Sequence, residues 1–302
     1  MKAAVIDHYG GPEVLHLADV PDPVPAEGEV LVRVAAASIN PVDTRDRAGD
    51  TKEWRPLEFP AIIGWDVSGT VAALGPGVKG LAVGDRVFGW AFHTYAELCA
   101  VNADLLAKAP EGVDLADLAA LPLVAATGSQ MITKGAEIRA GQTVLVSGAN
   151  GAVGRSAVFT AKDRGAHVIA GVTTRRLPEA GGIGADEVIA LDDPAAFAAL
   201  PAVDVVANCV RGKTAEDLLG KVKPNGLYVS VTGAPTNAAS RSDVRVVAYV
   251  SRQDTDSYRY IASAMQAGRL TIPIERRLPL GDAAAAHAAV EKGGVGKILL
   301  LP

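Results

Sequence analysis

Apolar and polar positions alternate in short runs through the first third of the chain. The runs at 2–7, 29–39, 65–74, 85–90 and 94–101 are rich in β-branched residues and bounded by Gly and Pro, which predicts a β-rich domain. Between them, PDPVP at 21–25 reads as an extended connection of polyproline type, and GPGVKGLAVGD at 75–85 as a turn-rich link. From about Leu121 the pattern changes. Strand-like runs at 144–147, 168–172, 187–189, 203–207, 227–231 and 245–250 are separated by alanine-rich or amphipathic stretches, the signature of a parallel doubly wound sheet. Near Tyr258 the chain enters a helix-like stretch, IASAMQAG. The final segment, AAAAHAAVEKGG followed by KILLL, reads as the piece that completes the first domain.

One segment carries chemistry on its face. VLVSGANGAVG, ending at Gly154, is a buried strand running into a glycine turn and then a helix, with Val153, Ala157 and Ala161 at helical spacing. Such a turn cradles a dinucleotide pyrophosphate. Gly148 and Gly151 let backbone N–H groups approach phosphate oxygens, and Gly154 lets the helix pack on the strand. The spacing is GxxGxxG rather than GxGxxG, and 32 glycines make triplets common, so the turn alone reads equally as a plain strand–turn–helix. The strand HVIAGV, arriving where a βαβ unit requires it, favours the cofactor. At its end, NAD sites place an acid for the ribose 2′-hydroxyl. This chain has Thr173, Thr174, Arg175 and Arg176 instead, which suits the 2′-phosphate of NADPH; the alternative is a solvated helix start.

Composition narrows the classes. With 302 residues the chain is long enough for two domains, and 49% hydrophobic with 21% charged residues is ordinary for a globular protein. A net charge of −5 without a basic run argues against nucleic acid. No apolar run approaches a membrane span, and Asp7 and His8 interrupt the start too early for a secretory signal, so a cytoplasmic place is expected. The 2 cysteines, Cys99 and Cys209, exclude a disulfide framework, and the 5 histidines lack zinc spacing. Cys209 reads as a buried, inert thiol.

Several stretches together resemble the zinc-independent quinone oxidoreductase (ζ-crystallin-like) branch of the medium-chain dehydrogenase/reductase superfamily. They are AAASINPVDTRDRAG, IGWDVSGTV, VGDRVFG, LPLVAATG, the glycine turn and PLGDAAAAHAAVEKGGVGKILL, in the family's order and over nearly the whole chain. The resemblance implies an α/β fold. A Rossmann doubly wound parallel sheet (123–262) would be inserted in a GroES-like β-rich catalytic domain (1–122, completed by 263–302), with the active site in the cleft between them. Zinc-containing relatives carry a Cys near Ser38 to Asn40 and a His where Trp65 stands, and the structural-zinc lobe has no counterpart. No metal site is therefore expected, and alcohol oxidation, which needs a Lewis acid, gives way to reduction of a quinone or enone. The resemblance further implies that Asn150, Ala152 and Val153 line the pyrophosphate turn. It places Thr127 and the strand end at Asn208, Cys209 and Val210 toward the nicotinamide, and lets the loop after Val231 cover the cofactor. It also implies a homodimer paired along the edge strand RVVAYV.

For catalysis the family places an Asn at Asn40, beside nicotinamide and substrate, although the same residue reads equally as a turn-former before Pro41. Asp43 and Arg45 follow. Some relatives carry a Tyr at the Arg45 position, so a tyrosine acid is in doubt here; Arg45 either steadies an enolate or, as the favoured reading, forms a surface pair with Asp43 or Asp46. Trp54 and Tyr95 read as walls for a ring substrate or as core aromatics. His287 and Lys297 read as structural. The runners-up are an enoyl-thioester reductase, whose pantetheine arm would want a basic entrance not visible in the sequence, and a non-catalytic NADPH-binding or redox-sensing protein.

Overall fold

The computed structural model describes residues 1–293 and 296–302; Gly294 and Val295, within the closing stretch 279–300, lie outside the described residues. The chain divides into two compact units, one formed by Met1–Leu123 with Gln253–Pro302 and the other by Val124–Arg252.

The first unit opens with β1 (Lys2–Ile6), β2 (His16–Asp19), β3 (Glu29–Ser38), helix α1 (Pro41–Ala48), β4 (Ala61–Ile62), β5 (Asp66–Leu74), β6 (Arg86–Trp90), β7 (Leu98–Asn102), β8 (Leu106–Lys108) and α2 (Leu115–Leu118). Helix α3 (Pro122–Gln130) leads to the second unit, with β9 (Thr143–Ser147), α4 (Ala152–Asp163), β10 (His167–Val172), β11 (Glu187–Ala190), α5 (Pro194–Ala199), β12 (Val203–Asn208), α6 (Lys213–Leu219), β13 (Val222–Ser230) and β14 (Arg245–Ala248). The chain then returns with α7 (Thr255–Gln266), β15 (Ile274–Pro279), α8 (Ala283–Lys292) and β16 (Lys297–Leu301).

Period-two patterning explains the first unit's long strand. In β3, Val30, Val32 and Val34 point into a core with Val67, Val71, Val87 and Val101, while Arg33 faces outward. The sheet runs β15-β16-β3-β5-β6-β8, with β7 also paired to β3, and a small antiparallel sheet orders β2-β1-β4. Register matters for the site. Ser38 lies opposite Asp66 on β5 and opposite Leu299 on β16, so three strand ends converge.

The second unit is a six-stranded sheet ordered β11-β10-β9-β12-β13-β14, with every pairing parallel. This is the Rossmann order 3-2-1-4-5-6. Both faces are covered. Val144 and Val146 of β9 pack against Ala157, Val158 and Ala161 of α4, while Leu145 joins Val206, Leu218 and Tyr228 on the other face.

Three expectations differ from the structure. The segment after Asn40 forms a helix, α1, where no helix was read. Its polar composition hid it, but the start and stop signals are local: Pro41 at the first turn, the Asp43 carboxylate accepting the Asn40 N–H at 2.6 Å, and Gly49 in the left-handed conformation at the end. The second unit ends at Arg252 rather than at 262. Helix α7, capped by Asp254, buries Tyr258, Ile261 and Ala264 within the first unit, where Tyr258 meets Phe88 with ring centroids 6.5 Å apart. The expected single strand at 94–101 narrows to β7, since Ala96 makes only an isolated bridge to Ala3.

Candidate active site

In the second unit the glycine turn lies where the sheet order reverses, between the ends of β9 and β12. Gly148 has φ +62°, and a side chain there would meet Val210 and Cys209, so the three residues named from sequence are neighbours. A methyl group on Gly154 would collide with the Gly148 carbonyl oxygen and stand 2.7 Å from Ala149 Cα. Gly151 caps α4 without a side-chain partner, no acid occupies the first turn, and the N–H groups of Ala152, Val153 and Gly154 precede the first intrahelical bond, Arg155 N–H to Gly151 O at 2.8 Å. The Asn150 amide donates to the Arg176 carbonyl at 2.9 Å, while its Oδ1 is buried with no partner. A close backbone turn, unpaired N–H groups and an orphaned buried oxygen fit a dinucleotide.

The strand ends beside the turn are knitted together. Ser147 Oγ donates to Asn208 Oδ1 at 2.7 Å and accepts the Cys209 N–H at 2.9 Å; the Asn208 side-chain amide donates to the Val210 carbonyl at 2.8 Å and to Ser230 Oγ at 3.1 Å, and the Asn208 backbone carbonyl accepts the Val231 N–H. Thr127 on α3 hydrogen-bonds Ser251 Oγ at 2.9 Å. Burial pushes the Cys209 thiol up to about 12, which keeps it protonated and unreactive at neutral pH.

The basic segment is more selective than the sequence suggests. Thr173 and Arg175 are exposed. Thr174 gives both its N–H (2.6 Å) and its hydroxyl (2.9 Å) to Asp192, an acid brought in from beyond β11, and Arg176 pairs with Glu179 at 2.8 Å. Of the four residues, Thr174 and Arg176 are committed to neighbours in this structure.

In the first unit, Asn40, Ser38, Asp66 and Lys297 form one buried cluster. Lys297 Nζ donates to Ser38 Oγ and to Asn40 Oδ1, each at 2.7 Å, and lies 3.6 Å from Asp66. The Asp66 carboxylate accepts from Ser38 Oγ (2.7 Å), Asn40 Nδ2 (2.8 Å) and the Leu123 N–H (2.8 Å). An ammonium can only donate and a carboxylate can only accept, so the Asn40 amide is fixed with Oδ1 toward Lys297 and Nδ2 toward Asp66. Asn40 is therefore not merely a turn-former. Lys297, read as structural, helps hold it.

Asp43 is fully buried, and Oδ1 has no partner. Burial raises its pKa well above the usual carboxylate range; the charges of Asp66 and Asp46 add to this, while the Asn40 N–H and the Lys297 ammonium oppose it. A raised folded-state pKa means the folded protein holds a proton the unfolded chain has released. That contribution to stability is present below the unfolded value, about 3.9, and is lost as pH rises from there toward the folded value. Asp43→Asn, which mimics the protonated form and can still accept the Asn40 N–H, is expected to gain stability relative to the parent as pH rises from 5 to 8, read as the difference between their thermal midpoints. Equal pH slopes would refute a proton held on Asp43.

Arg45 is exposed, and the favoured surface pair does not form: Asp46 is buried and its carboxylate is taken by Thr51 (2.7 Å), Trp65 Nε1 (2.6 Å) and Arg55. Arg55, which sequence reasoning missed, lies with its guanidinium 4.0 Å over the Phe92 ring and 5.1 Å from the Trp65 centroid. Trp65 also stacks on Trp90 and meets Trp54, which is 60% exposed, edge-on at 6.1 Å. Tyr95 is a core residue, its hydroxyl 3.2 Å from His287 Nε2. Burial and the charge of Arg47, 3.3 Å from Nδ1, push His287 down to about 3, so it stays neutral and packs. Among the described residues no group of three or more His, Cys, Asp or Glu side chains could hold a metal ion.

Comparison with known proteins places these features. Residues 26–111 match the alcohol dehydrogenase GroES-like domain and residues 183–300 the zinc-binding dehydrogenase domain. The chloroplast envelope quinone oxidoreductase homolog of Arabidopsis thaliana is 30% identical, with 100% of this chain and 98% of that protein aligned. The chain belongs to the zinc-independent quinone oxidoreductase branch of the medium-chain dehydrogenases/reductases. Another member of the wider group, the chloroplastic NADPH-dependent alkenal/one oxidoreductase of the same plant, is 30% identical over 100% of this chain and 80% of its own length. Among solved structures, Escherichia coli quinone oxidoreductase complexed with NADPH aligns with a TM-score of 0.87, 28% identity and full coverage of both chains.

Proposed function

We propose that this protein is an NADPH-dependent reductase of quinones and α,β-unsaturated carbonyl compounds. The observation that carries the proposal is the glycine cradle at the switch point of the parallel sheet, where Gly154 leaves no room for a side chain. A nicotinamide cofactor held there would provide the hydride for reduction of an enone at its β-carbon or of a quinone, with water providing the proton. Gly148, Gly151, Ala152, Val153 and Gly154 hold the pyrophosphate through backbone N–H groups, with Asn150 beside them. The exposed Arg175, with Thr173, takes the 2′-phosphate, while Thr174 and Arg176 are held by Asp192 and Glu179. Thr127, Cys209, Val210 and Val231 frame the nicotinamide. On the acceptor side the fixed Asn40 amide keeps one N–H beyond the one given to Asp66, a pre-aimed donor for oxygen that gains charge. The same proposal includes a homodimer along the edge strand β14, expected at twice the chain mass in sedimentation, and a cytoplasmic place.

Stopped-flow loss of NADPH absorbance with a panel of quinones, enones and enoyl thioesters tests this reading. Turnover of the first two classes is expected. Tight NADPH binding without turnover of any acceptor would overturn it in favour of a binding protein. Arg175→Ala is expected to raise the KM for NADPH by roughly tenfold to a hundredfold and to leave that for NADH unchanged.

A further inference from the structure

Helix α4 of the second unit carries a cation where a helix disfavours one. Arg155 is its fourth residue, and the unpaired N–H groups of the first turn give that end a positive field. The residue is also buried, at 7% exposure. Its side chain makes one hydrogen bond among the described residues, from Nε to the Asn150 carbonyl at 3.2 Å. A guanidinium has five N–H donors, so the four on Nη1 and Nη2 have no protein acceptor there. Burial lowers the pKa of Arg155, and the charge of Glu179 opposes this; the group stays charged. Glu179 is a loose partner for it. It sits in the short helical segment Thr174–Gly182, its side chain is 55% exposed, and it already accepts from Arg176 Nη1 at 2.8 Å. One exposed carboxylate thus answers two guanidiniums. Asp192, the other acid near this segment, is taken by Thr174. Asn150 fixes the place, because its backbone carbonyl accepts from Arg155 and its side-chain amide donates to the Arg176 carbonyl at 2.9 Å. The cation of α4 is thereby pinned between the glycine turn and the segment that follows β10, which in a Rossmann sheet is where the adenine ribose lies.

We infer that Arg155 is a second ligand of the NADPH 2′-phosphate, beside Arg175, and that Glu179 is an internal anion which holds this place until the phosphate displaces it. The inference rests on the NADPH reading and adds to it a residue and an exchange. A phosphate brings more charge than a carboxylate and three acceptor oxygens, and guanidinium forks pair with it bidentately. The open Nη1 and Nη2 donors of Arg155 then gain acceptors, and the phosphate also meets the positive end of α4 that repels the bare cation. Glu179, at the surface, turns outward to water. NADH presents only a ribose hydroxyl at this point, too weak an acceptor to displace a carboxylate. The exchange therefore discriminates between the two cofactors without any acid dedicated to the ribose.

Calorimetric titration of the intact protein with NADPH, NADH, 2′,5′-ADP and 5′-AMP tests both halves without any turnover. Arg155→Met is expected to raise the Kd of NADPH and of 2′,5′-ADP by roughly tenfold to a hundredfold, while those of NADH and 5′-AMP stay within about twofold. Arg155→Lys keeps the charge but not the fork, and should fall between the parent and the Met variant. Glu179→Gln, a surface change, should tighten NADPH by about two- to fivefold and leave NADH where it was. That gain should shrink in the Arg155→Met/Glu179→Gln double variant, because the two side chains act on one phosphate. Equal weakening of NADPH and NADH by Arg155→Met would give the residue to the pyrophosphate or to the shape of the turn, and would overturn the inference. So would a Glu179→Gln variant whose NADPH binding is unchanged or weaker. In both of those cases the parent still prefers NADPH. A parent that binds NADPH no better than NADH would defeat the cofactor reading itself, and the inference with it.

Discussion

Lys297→Met is expected to cost about 3–5 kcal/mol of stability in denaturant unfolding, a large loss for one side chain. The ammonium is buried beside Asp66, whose charge it balances, and donates to Ser38 and Asn40. Removing it leaves the Asp66 carboxylate without its cation and the Asn40 carbonyl oxygen without its donor. Breaking one half of a buried pair costs far more than the pair itself contributes, because the remaining charge is stranded in a medium that solvates it poorly. The double variant Lys297→Met/Asp66→Asn removes both charges and should recover more than half of the loss. Activity should not return with stability, because the Asn40 amide would then be free to rotate. A single variant as stable as the parent, or a double variant no better than the single, would sink this account of the cluster.

Gly154→Val is expected to abolish measurable NADPH binding while leaving the first unit folded. A side chain at this position runs into the Gly148 carbonyl oxygen and the Ala149 backbone, and neither can yield without moving the turn. The helix α4 would be pushed off β9, and the N–H groups of its first turn would leave the phosphate site. Overpacking of this kind costs about 1–3 kcal/mol, but the larger effect is on affinity, because an anion site made of backbone dipoles fails with small displacements. Fluorescence titration with NADPH should show at least a hundredfold loss, with the near-ultraviolet signal of the first unit's tryptophans retained. Affinity within a few fold of the parent would contradict the placement of the cofactor at this turn.

The sequence carried the parallel sheet and its cradle because their signals are local. A β-branched run, a glycine turn and a helical period all lie within VLVSGANGAVG and its sequel, and the structure repeats them residue by residue. Helix α1 was equally local but hidden, since its buried face is Asp43, Thr44, Asp46 and Arg47, and hydrophobic periodicity cannot see a polar interior. The capping signals around Asn40 and Gly49 were the readable trace. What pattern could not give is partnership. Thr174 and Arg176 looked free until Asp192 and Glu179 were placed beside them, and Arg45 looked like the cation of Asp46 until Arg55 took that place. Charge type is written in the sequence, but pairing is decided by strand register and helix packing.

The span between Asn40 and Lys297, 257 residues, also sets an order of assembly. A ribosome releases the whole of the second unit, a contiguous stretch from Val124 to Arg252, before Lys297 has been synthesised. Domains generally fold as units, N-terminal first, and a discontinuous one has to wait for its returning segment. Until β16 pairs with β3, the emerging first unit carries Asp66 without the ammonium beside it, and Asn40 has no fixed orientation. The second unit can therefore be complete in a nascent chain in which the Asn40 cluster of the first cannot yet exist.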